Sequence, residues 1–143
     1  MEKNRGFKDP LQRQDPNAIQ QKLQQALALH QRGILSDAKT IYEDILKQRP
    51  NHFDALHFLG VIAYQTKNLH QAEELIGRAI KLNPNNAAAY TNRGVVLQDL
   101  KRFDEAIASY DKAIALKHDF AEAYNNRGNA LKDLERFDEA IAS

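Results

Sequence analysis

The feature that most restricts the fold of this chain is an internal repeat with a period of 34 residues. Residues 87–109 reappear at 121–143 with most positions identical. The same offset separates prolines, glycines and alanines along the chain: Pro16, Pro50 and Pro84; Gly60, Gly94 and Gly128; Ala38, Ala72, Ala106 and Ala140. Three series that share one period predict a linear array of similar units, each packed on its neighbours.

Each unit predicts two helices with a short break between them. From Asn86 the apolar residues recur at helical spacing as far as Leu100, and a second apolar stripe begins at Phe103. The prolines fall between units, where a missing N–H removes no helical hydrogen bond. Glycine in a helix interior costs about 1 kcal/mol relative to alanine, so the glycine series indicates close contact with the paired helix. The alanine series is the expected other half of that contact.

Composition excludes several classes of protein. The 20 basic and 19 acidic residues leave a net charge of +1, which disfavours a nucleic-acid-binding protein. The absence of cysteine excludes disulfides, thiolate metal sites and thiol nucleophiles. Residues 1–14 are charged and hold no apolar signal segment, and no run of about 18 apolar residues occurs. We therefore expect a soluble, cytoplasmic protein.

The repeated residues resemble the tetratricopeptide repeat (TPR) family, whose pattern is W-x2-L-G-x2-Y, then A-x3-F, then P. The matching residues are Leu56, Leu59, Gly60, Ala63, Ala72, Ile76 and Pro84; Tyr90, Arg93, Gly94, Leu97, Ala106 and Tyr110; and Tyr124, Arg127, Gly128 and Leu131. The first copy is degenerate, with Lys22 in the aromatic position. The resemblance implies an all-α fold, a right-handed α-solenoid of antiparallel helix pairs with about three and a half repeats.

We expect residues 1–16 to be a flexible segment and residues 17–143 to form the TPR domain, with repeats at about 19–52, 53–86, 87–120 and a truncated 121–143. Because the last repeat stops in mid-helix, the chain is expected to be a piece of a longer protein. Solenoids hide their end faces beneath caps, so Ala130, Leu134 and Ile141 are expected to lie uncovered. Weak homo-association through this end is the expected consequence.

The family resemblance implies that the first helix of each repeat lines a concave groove that holds the partner. The predicted partner-binding residues are His57, Phe58, Val61, Tyr64, Thr91, Asn92, Val95, Asn125, Asn126 and Asn129. Asn92 and Asn126 stand one repeat apart, and their amides can pair with a peptide backbone in both directions. This arrangement resembles the asparagine ladder of the O-linked N-acetylglucosamine transferases. The alternative is two solvated asparagines copied by repeat duplication.

This sequence does not match a second way in which members of the family bind their ligands. The Lys/Asn/Arg clamp for acidic chaperone C-termini would need lysine and asparagine where this chain has Leu23 and Leu27. These two leucines are expected to be exposed.

The sequence shows no motif for catalysis or metal binding. It has no glycine-rich phosphate loop, no His-x-x-x-His and no Gly-x-Ser-x-Gly. The acidic pairs Asp104-Glu105 and Asp138-Glu139 are predicted to begin second helices, where carboxylates favour the positive end of the helix dipole. We therefore expect no catalytic, cofactor-binding or metal-binding residues and no enzyme activity.

The predicted function is a protein- or peptide-binding TPR scaffold, with no nucleic-acid or membrane partner. One alternative is the substrate-recruiting N-terminal arm of a glycosyltransferase. Residues 54–84 resemble repeats found ahead of bacterial glycosyltransferase domains of the O-linked N-acetylglucosamine transferase and SPINDLY type. The remote alternative, an RNA-binding helical repeat, needs a longer period and a basic stripe, whereas this groove carries Asp54, Asp99, Glu122 and Asp133.

Overall fold

The structure, a computed structural model, describes residues 16–142, which form seven α-helices and contain no strand. In chain order they are α1 (Pro16–Gln31), α2 (Leu35–Gln48), α3 (Phe53–Gln65), α4 (Leu69–Leu82), α5 (Ala87–Asp99), α6 (Phe103–Leu116) and α7 (Ala121–Ala142). Apart from Pro16, the segment 1–16 that is predicted to be flexible lies outside the described residues. The starts of α3, α5 and α7 lie 34 residues apart, and the prediction of an all-α fold is confirmed.

Consecutive helices pack side by side as antiparallel pairs. The helices α1 and α2 pack together, as do α3 with α4 and α5 with α6, and each pair packs on the next. In addition, α3 contacts α5 and α5 contacts α7. Because the first helices of successive repeats touch each other directly, they lie on the inner, concave side of the array. The result is the predicted solenoid of helix pairs.

The first helix in each of the first three repeats ends in the same turn. In the second repeat, the Asn68 amide donates to the Ala63 carbonyl at 2.7 Å. This bond closes a Schellman motif, which places the preceding residue in the left-handed region. That residue is Lys67, with φ 70°, and Gly33 and Lys101 take its place in the neighbouring repeats with φ 79° and 66°. The turn reverses the chain, so that the second helix packs back on the first.

The fourth repeat differs, because α7 continues without a break through 22 residues. Glu135, at the repeat position of Lys101, stays helical. The prediction that Asp138 and Glu139 begin a second helix is therefore wrong, since both lie near the end of α7. A left-handed residue other than glycine costs about 1–2 kcal/mol, which a packed 14-residue second helix offsets in the second and third repeats. The residues after Glu135 form no such helix, so the helical path continues.

Two of the three repeated glycines mark close contacts between paired helices. A Cβ atom on Gly60 would lie 2.6 Å from Ile76, and one on Gly94 would lie 2.5 Å from Tyr110. Alanines of the second helices were expected to provide these contacts. The contacting residues, Ile76 and Tyr110, instead lie four positions, about one helical turn, after Ala72 and Ala106. Around Gly128, no other group of the described chain comes within 4 Å of such a Cβ. The contact is missing because, within residues 16–142, no second helix follows α7 to pair with it.

The ends of the array differ in part from the predictions. Ala130 is fully buried against α5 and α6, so the prediction that it is uncovered is wrong. Leu134 is half-buried, whereas Ile141 is 69% exposed. At the other end, Leu23 is buried and Leu27 is half-buried, because both pack into the core instead of facing solvent.

Candidate functional site

Hydrogen bonds join the side chains of successive first helices along the inner surface. Three such bonds link residues 35 positions apart: His30 Nε2 with Gln65 Oε1 (2.8 Å), His57 Nε2 with Asn92 Nδ2 (2.9 Å), and Gln98 Nε2 with Asp133 Oδ2 (2.7 Å). We call these six residues the inner ladder. The ladder ties each repeat to the next through polar groups on the concave side.

Four aromatic rings pack together at the N-terminal end of the inner ladder. His30 meets Tyr42 and Phe58 edge-on, at centroid distances of 5.9 and 6.3 Å. Phe58 in turn stacks on His57 at 5.0 Å. His30 Nε2 faces the Gln65 oxygen, so a neutral ring donates there and accepts from the Tyr42 hydroxyl at Nδ1, 3.1 Å away. This packing makes the N-terminal part of the groove aromatic.

The bond between His57 and Asn92 orients an amide towards the groove. His57 is 4% exposed, and its burial lowers the pKa of the ring, although the nearby Asp54 carboxylate acts in the opposite direction. A neutral ring protonated at Nδ1 accepts from Asn92 at Nε2. The Asn92 oxygen and one N–H proton then stay available for a partner.

Two predicted partner-binding residues, His57 and Thr91, are not accessible to a partner. Thr91 is 1% exposed and donates its hydroxyl to the Ala87 carbonyl at 3.0 Å. Both residues occupy the seam between first helices, which the next repeat covers. Leu23 is buried at the same repeat position, whereas Asn125 on α7 is exposed because no described helix follows it. The predicted contacts at His57 and Thr91 are therefore wrong.

Four predicted residues converge on a small pocket between α3 and α5, which we call the inter-repeat pocket. The converging residues are Val61, Tyr64, Asn92 and Val95, all half-buried. Ile76 and Val96 form its buried floor, and its volume is about 50 Å³. The pocket is thus apolar, with an amide and a phenol as its polar groups.

The groove becomes acidic towards α7. Burial raises the pKa of the Tyr110 hydroxyl, and the surrounding Asp99, Glu122 and Asp133 carboxylates add to the rise. Burial likewise raises the pKa of Tyr64, with a further contribution from Asp99. We call these three carboxylates the acidic patch. Asp99 adjoins Tyr64 of the inter-repeat pocket, and Asp133 accepts a hydrogen bond from Gln98, the residue before Asp99.

A wider cleft of about 580 Å³ lies where the inner surface meets the turns. Asp99 and Asp133 line it together with Lys67, Lys101 and Arg136. The cleft is therefore lined by both acidic and basic side chains.

Asn126 does not repeat the environment of Asn92. The residue 35 positions before Asn126 is Thr91, whose hydroxyl bonds to its own helix. Asn126 is half-buried on α7, and Asn129 is exposed. Among these asparagines, only Asn92 is oriented by a bond to the preceding repeat within the described chain.

The sequence analysis placed Asp133 in the groove but did not predict the bonds of the inner ladder, which also include His30, Gln65 and Gln98. A signal was available, because a spacing of 35 equals the repeat period plus one residue. Comparing polar residues at that spacing, and not only at 34, would have paired them. Tyr110 extends the ladder, because its hydroxyl donates to Gln98 Oε1 at 2.9 Å.

Between residues 16 and 142, no group of three or more His, Cys, Asp or Glu side chains is arranged to hold a metal ion. Within the same range, no helix combines the length and the apolar character needed to cross a membrane. What the inner surface offers a ligand is amide, carboxylate, aromatic and aliphatic groups.

Several solved structures are similar to this chain. The crystal structure of MamA protein matches with a TM-score of 0.77 and 28% identity, covering 90% of this chain and 70% of that one. A mutant O-GlcNAc transferase of Thermobaculum terrenum gives a TM-score of 0.80 and 27% identity, covering 82% of this chain and 22% of that one. The first TPR domain of RPAP3, bound to the HSP90 peptide SRMEEVD, gives 0.77 and 20% identity, with 90% and 97% covered. At that identity the likeness to RPAP3 shows the fold alone.

Two family models also match. One, described as TPR repeat, matches residues 99–135, and the other, described as anaphase-promoting complex, cyclosome, subunit 3, matches residues 31–113, more than half of the chain. Comparison with curated proteins finds no significant match. The 34-residue period, the helix pairs and both model matches lead to one conclusion: this chain belongs to the tetratricopeptide repeat family.

Proposed function

We propose that this chain is a protein- or peptide-binding scaffold that holds its partner in the concave groove formed by its first helices. The observation that carries the proposal is the inter-repeat pocket, where residues of two repeats form an apolar recess with Asn92 at its edge. A recess for a side chain beside an amide for the backbone suits an extended peptide. The peptide bound to the TPR domain of RPAP3 supports such a use of the fold.

Peptide display on the folded chain tests this function. Random peptides enriched on the wild-type chain should be lost from Val95→Lys, which places a charged side chain in the inter-repeat pocket. Ala115→Lys, at an exposed position of α6, is the matched control and should keep the enrichment. If no enrichment depends on Val95, the proposed function is wrong.

The two asparagines are expected to hold the peptide backbone. One hydrogen bond contributes about 0.5–1.5 kcal/mol net, so Asn92→Ala together with Asn126→Ala should weaken binding several-fold. Titration calorimetry with an enriched peptide measures this effect. Asn92→Ala should account for most of it, because His57 orients that amide. Unchanged affinity in the double variant would leave Phe58, Val61 and Tyr64 as the anchoring residues.

A second candidate is the substrate-recruiting arm of a glycosyltransferase. The likeness to the Thermobaculum terrenum O-GlcNAc transferase favours it, although this chain covers only 22% of that protein. The coding sequence beyond Ser143 provides the test. A glycosyltransferase domain downstream would support the arm, and a different domain would contradict it.

A further inference from the structure

The inter-repeat pocket is suited to an aliphatic side chain. A recess must offer about 10–15 Å³ to hold a water molecule, and this pocket offers about 50 Å³. Val61 and Val95 line its sides above the buried Ile76 and Val96, so water inside it would find few hydrogen-bond partners. Transfer of an aliphatic group from water into such a recess is favourable. Asn92 stands at the edge, where the backbone of a bound peptide would run.

Negative charge lies next to the pocket. Asp99 neighbours Tyr64, a residue of the pocket. Asp133 and Tyr110 both bond to Gln98, and Asp99 and Asp133 line the same cleft. The Glu122 carboxylate adds to the negative charge that acts on Tyr110. In the described part of the chain, no lysine or arginine forms an ion pair with any of these three carboxylates. The acidic patch therefore leaves carboxylate oxygens for a positively charged group, in a cleft that Lys67, Lys101 and Arg136 also line.

The separation between the pocket and the acidic patch suits an extended peptide. Asp99 follows Val95 by four residues on α5, which is about 6 Å along a helix. Asp133 lies on the adjacent α7, and adjacent helices are about 8–10 Å apart. An extended chain advances about 3.3 Å per residue. A long basic side chain two or three positions from the pocket would therefore reach the patch.

We infer that the groove selects an extended peptide segment with an aliphatic residue and, two or three positions away, a lysine or arginine. The aliphatic side chain enters the inter-repeat pocket, and the basic side chain binds Asp99 and Asp133. This inference rests on the proposed function and names the chemistry of its partner.

The test repeats the peptide display on three forms of the chain: wild type, Val95→Lys, and Asp99→Asn combined with Asp133→Asn. Wild type should enrich peptides with an aliphatic and a basic residue at the stated spacing. The asparagine variant keeps an acceptor for Gln98, so it should keep the aliphatic preference. Its affinity for the enriched peptides should fall about fivefold, as the loss of a partly exposed ion pair predicts. Val95→Lys should lose both preferences.

Measurements on the wild-type chain alone protect the test against a variant that fails to fold. Raising the salt concentration should weaken binding of the enriched peptides, because partly exposed charge pairs are screened. Replacing the basic residue of the peptide by glutamine should weaken it as well. The acidic peptide SRMEEVD should bind poorly.

The possible failures are distinguishable. Enrichment that depends on Val95 but favours neutral or acidic peptides would overturn this inference and leave the proposed function intact. Enrichment that does not depend on Val95 would overturn both.

Discussion

Gly94 and Gly128 occupy the same position in successive repeats but have opposite surroundings. At Gly94 the Tyr110 ring fills the space that a Cβ atom would need, 2.5 Å away. Tyr110 is fully buried, and its hydroxyl is held by Gln98, so the ring has little freedom to move. At Gly128 that space is open. The same residue therefore has a packing role in one repeat and none in the next.

The Gly94→Ala substitution is expected to destabilise the chain by about 1–3 kcal/mol, the typical cost of overpacking a core. Gly128→Ala, the matched control, should stabilise α7 by about 0.5–1 kcal/mol, because alanine favours a helix interior. Denaturant unfolding of both variants measures these changes. Equal changes in stability at the two positions would mean that contact with the paired helix does not explain why glycine recurs at this repeat position.

His57 should make stability depend on pH. Burial lowers its folded-state pKa below the ordinary value of 6.5. Between the two pKa values the unfolded chain binds more protons than the folded chain, so acidification favours unfolding. The stabilising contribution is complete above about pH 6.5 and declines below it until the folded-state pKa is passed. His52, whose pKa is also lowered chiefly by burial, acts in the same direction.

Thermal midpoints at about pH 7.5 and pH 5.5 measure this dependence. The midpoint of the wild-type chain should fall on acidification, and His57→Gln should show a smaller fall. His70→Gln, at an exposed position, should behave as the wild type does. If His57→Gln shows the wild-type fall, protonation of His57 does not limit stability in this range.

At the scale of elements, α7 shows what a second helix contributes. Each of the first helices α1, α3 and α5 is followed, two residues after its end, by a residue in the left-handed conformation, and the chain then returns along a second helix. In α7 the equivalent Glu135 stays helical, and residues 135–142 are all exposed. Phe137 still packs on Phe103, at a ring distance of 5.5 Å. This part of α7 therefore buries little side-chain surface, and the Phe137 ring is one of its contacts with the array.

Amide hydrogen exchange should be faster in residues 136–142 than in α3 to α6. A short exposed stretch of helix opens locally without disturbing the core. Phe137→Ala should accelerate exchange there further and leave α5 unchanged. Protection of residues 136–142 equal to that of α6 would contradict this prediction and would point to contacts that the exposed side chains do not show.

At the scale of the whole molecule, α7 presents apolar surface at the end of the array. Tyr124 is 50% exposed, Leu131 38% and Ile141 69%. Burying apolar surface yields about 25 cal/mol per Å², so contact between two such faces is favourable. We expect weak, concentration-dependent homo-association through this end.

Light scattering over a range of concentrations measures the association. Leu131→Lys should shift it towards the monomer, whereas Leu116→Lys, at a similarly exposed leucine of α6, should have little effect. Lengthening the chain by a complete second helix for the fourth repeat should also reduce it. An association unaffected by Leu131→Lys and by the longer chain must use another surface.

The repeat, the helix pairs and the close contacts at Gly60 and Gly94 could all be predicted from the sequence. These features depend on residues near one another in the chain, and one 34-residue period records them all. Three of the residues predicted at the groove, Val61, Tyr64 and Val95, meet at one pocket, and their contact with a partner stays a prediction.

Which side chains face solvent, and which form hydrogen bonds across repeats, depends on how the helices pack and could not be predicted from the sequence. His57 and Thr91 fit the helical pattern of the groove, yet the next repeat covers them. The inner ladder joins residues that are 35 apart, one more than the repeat period of 34. The side chains that meet across two first helices therefore do not occupy equivalent repeat positions. The unbroken α7 has the same origin: a left-handed turn forms where the packing of a second helix offsets its cost, and that packing is a property of the assembled helices.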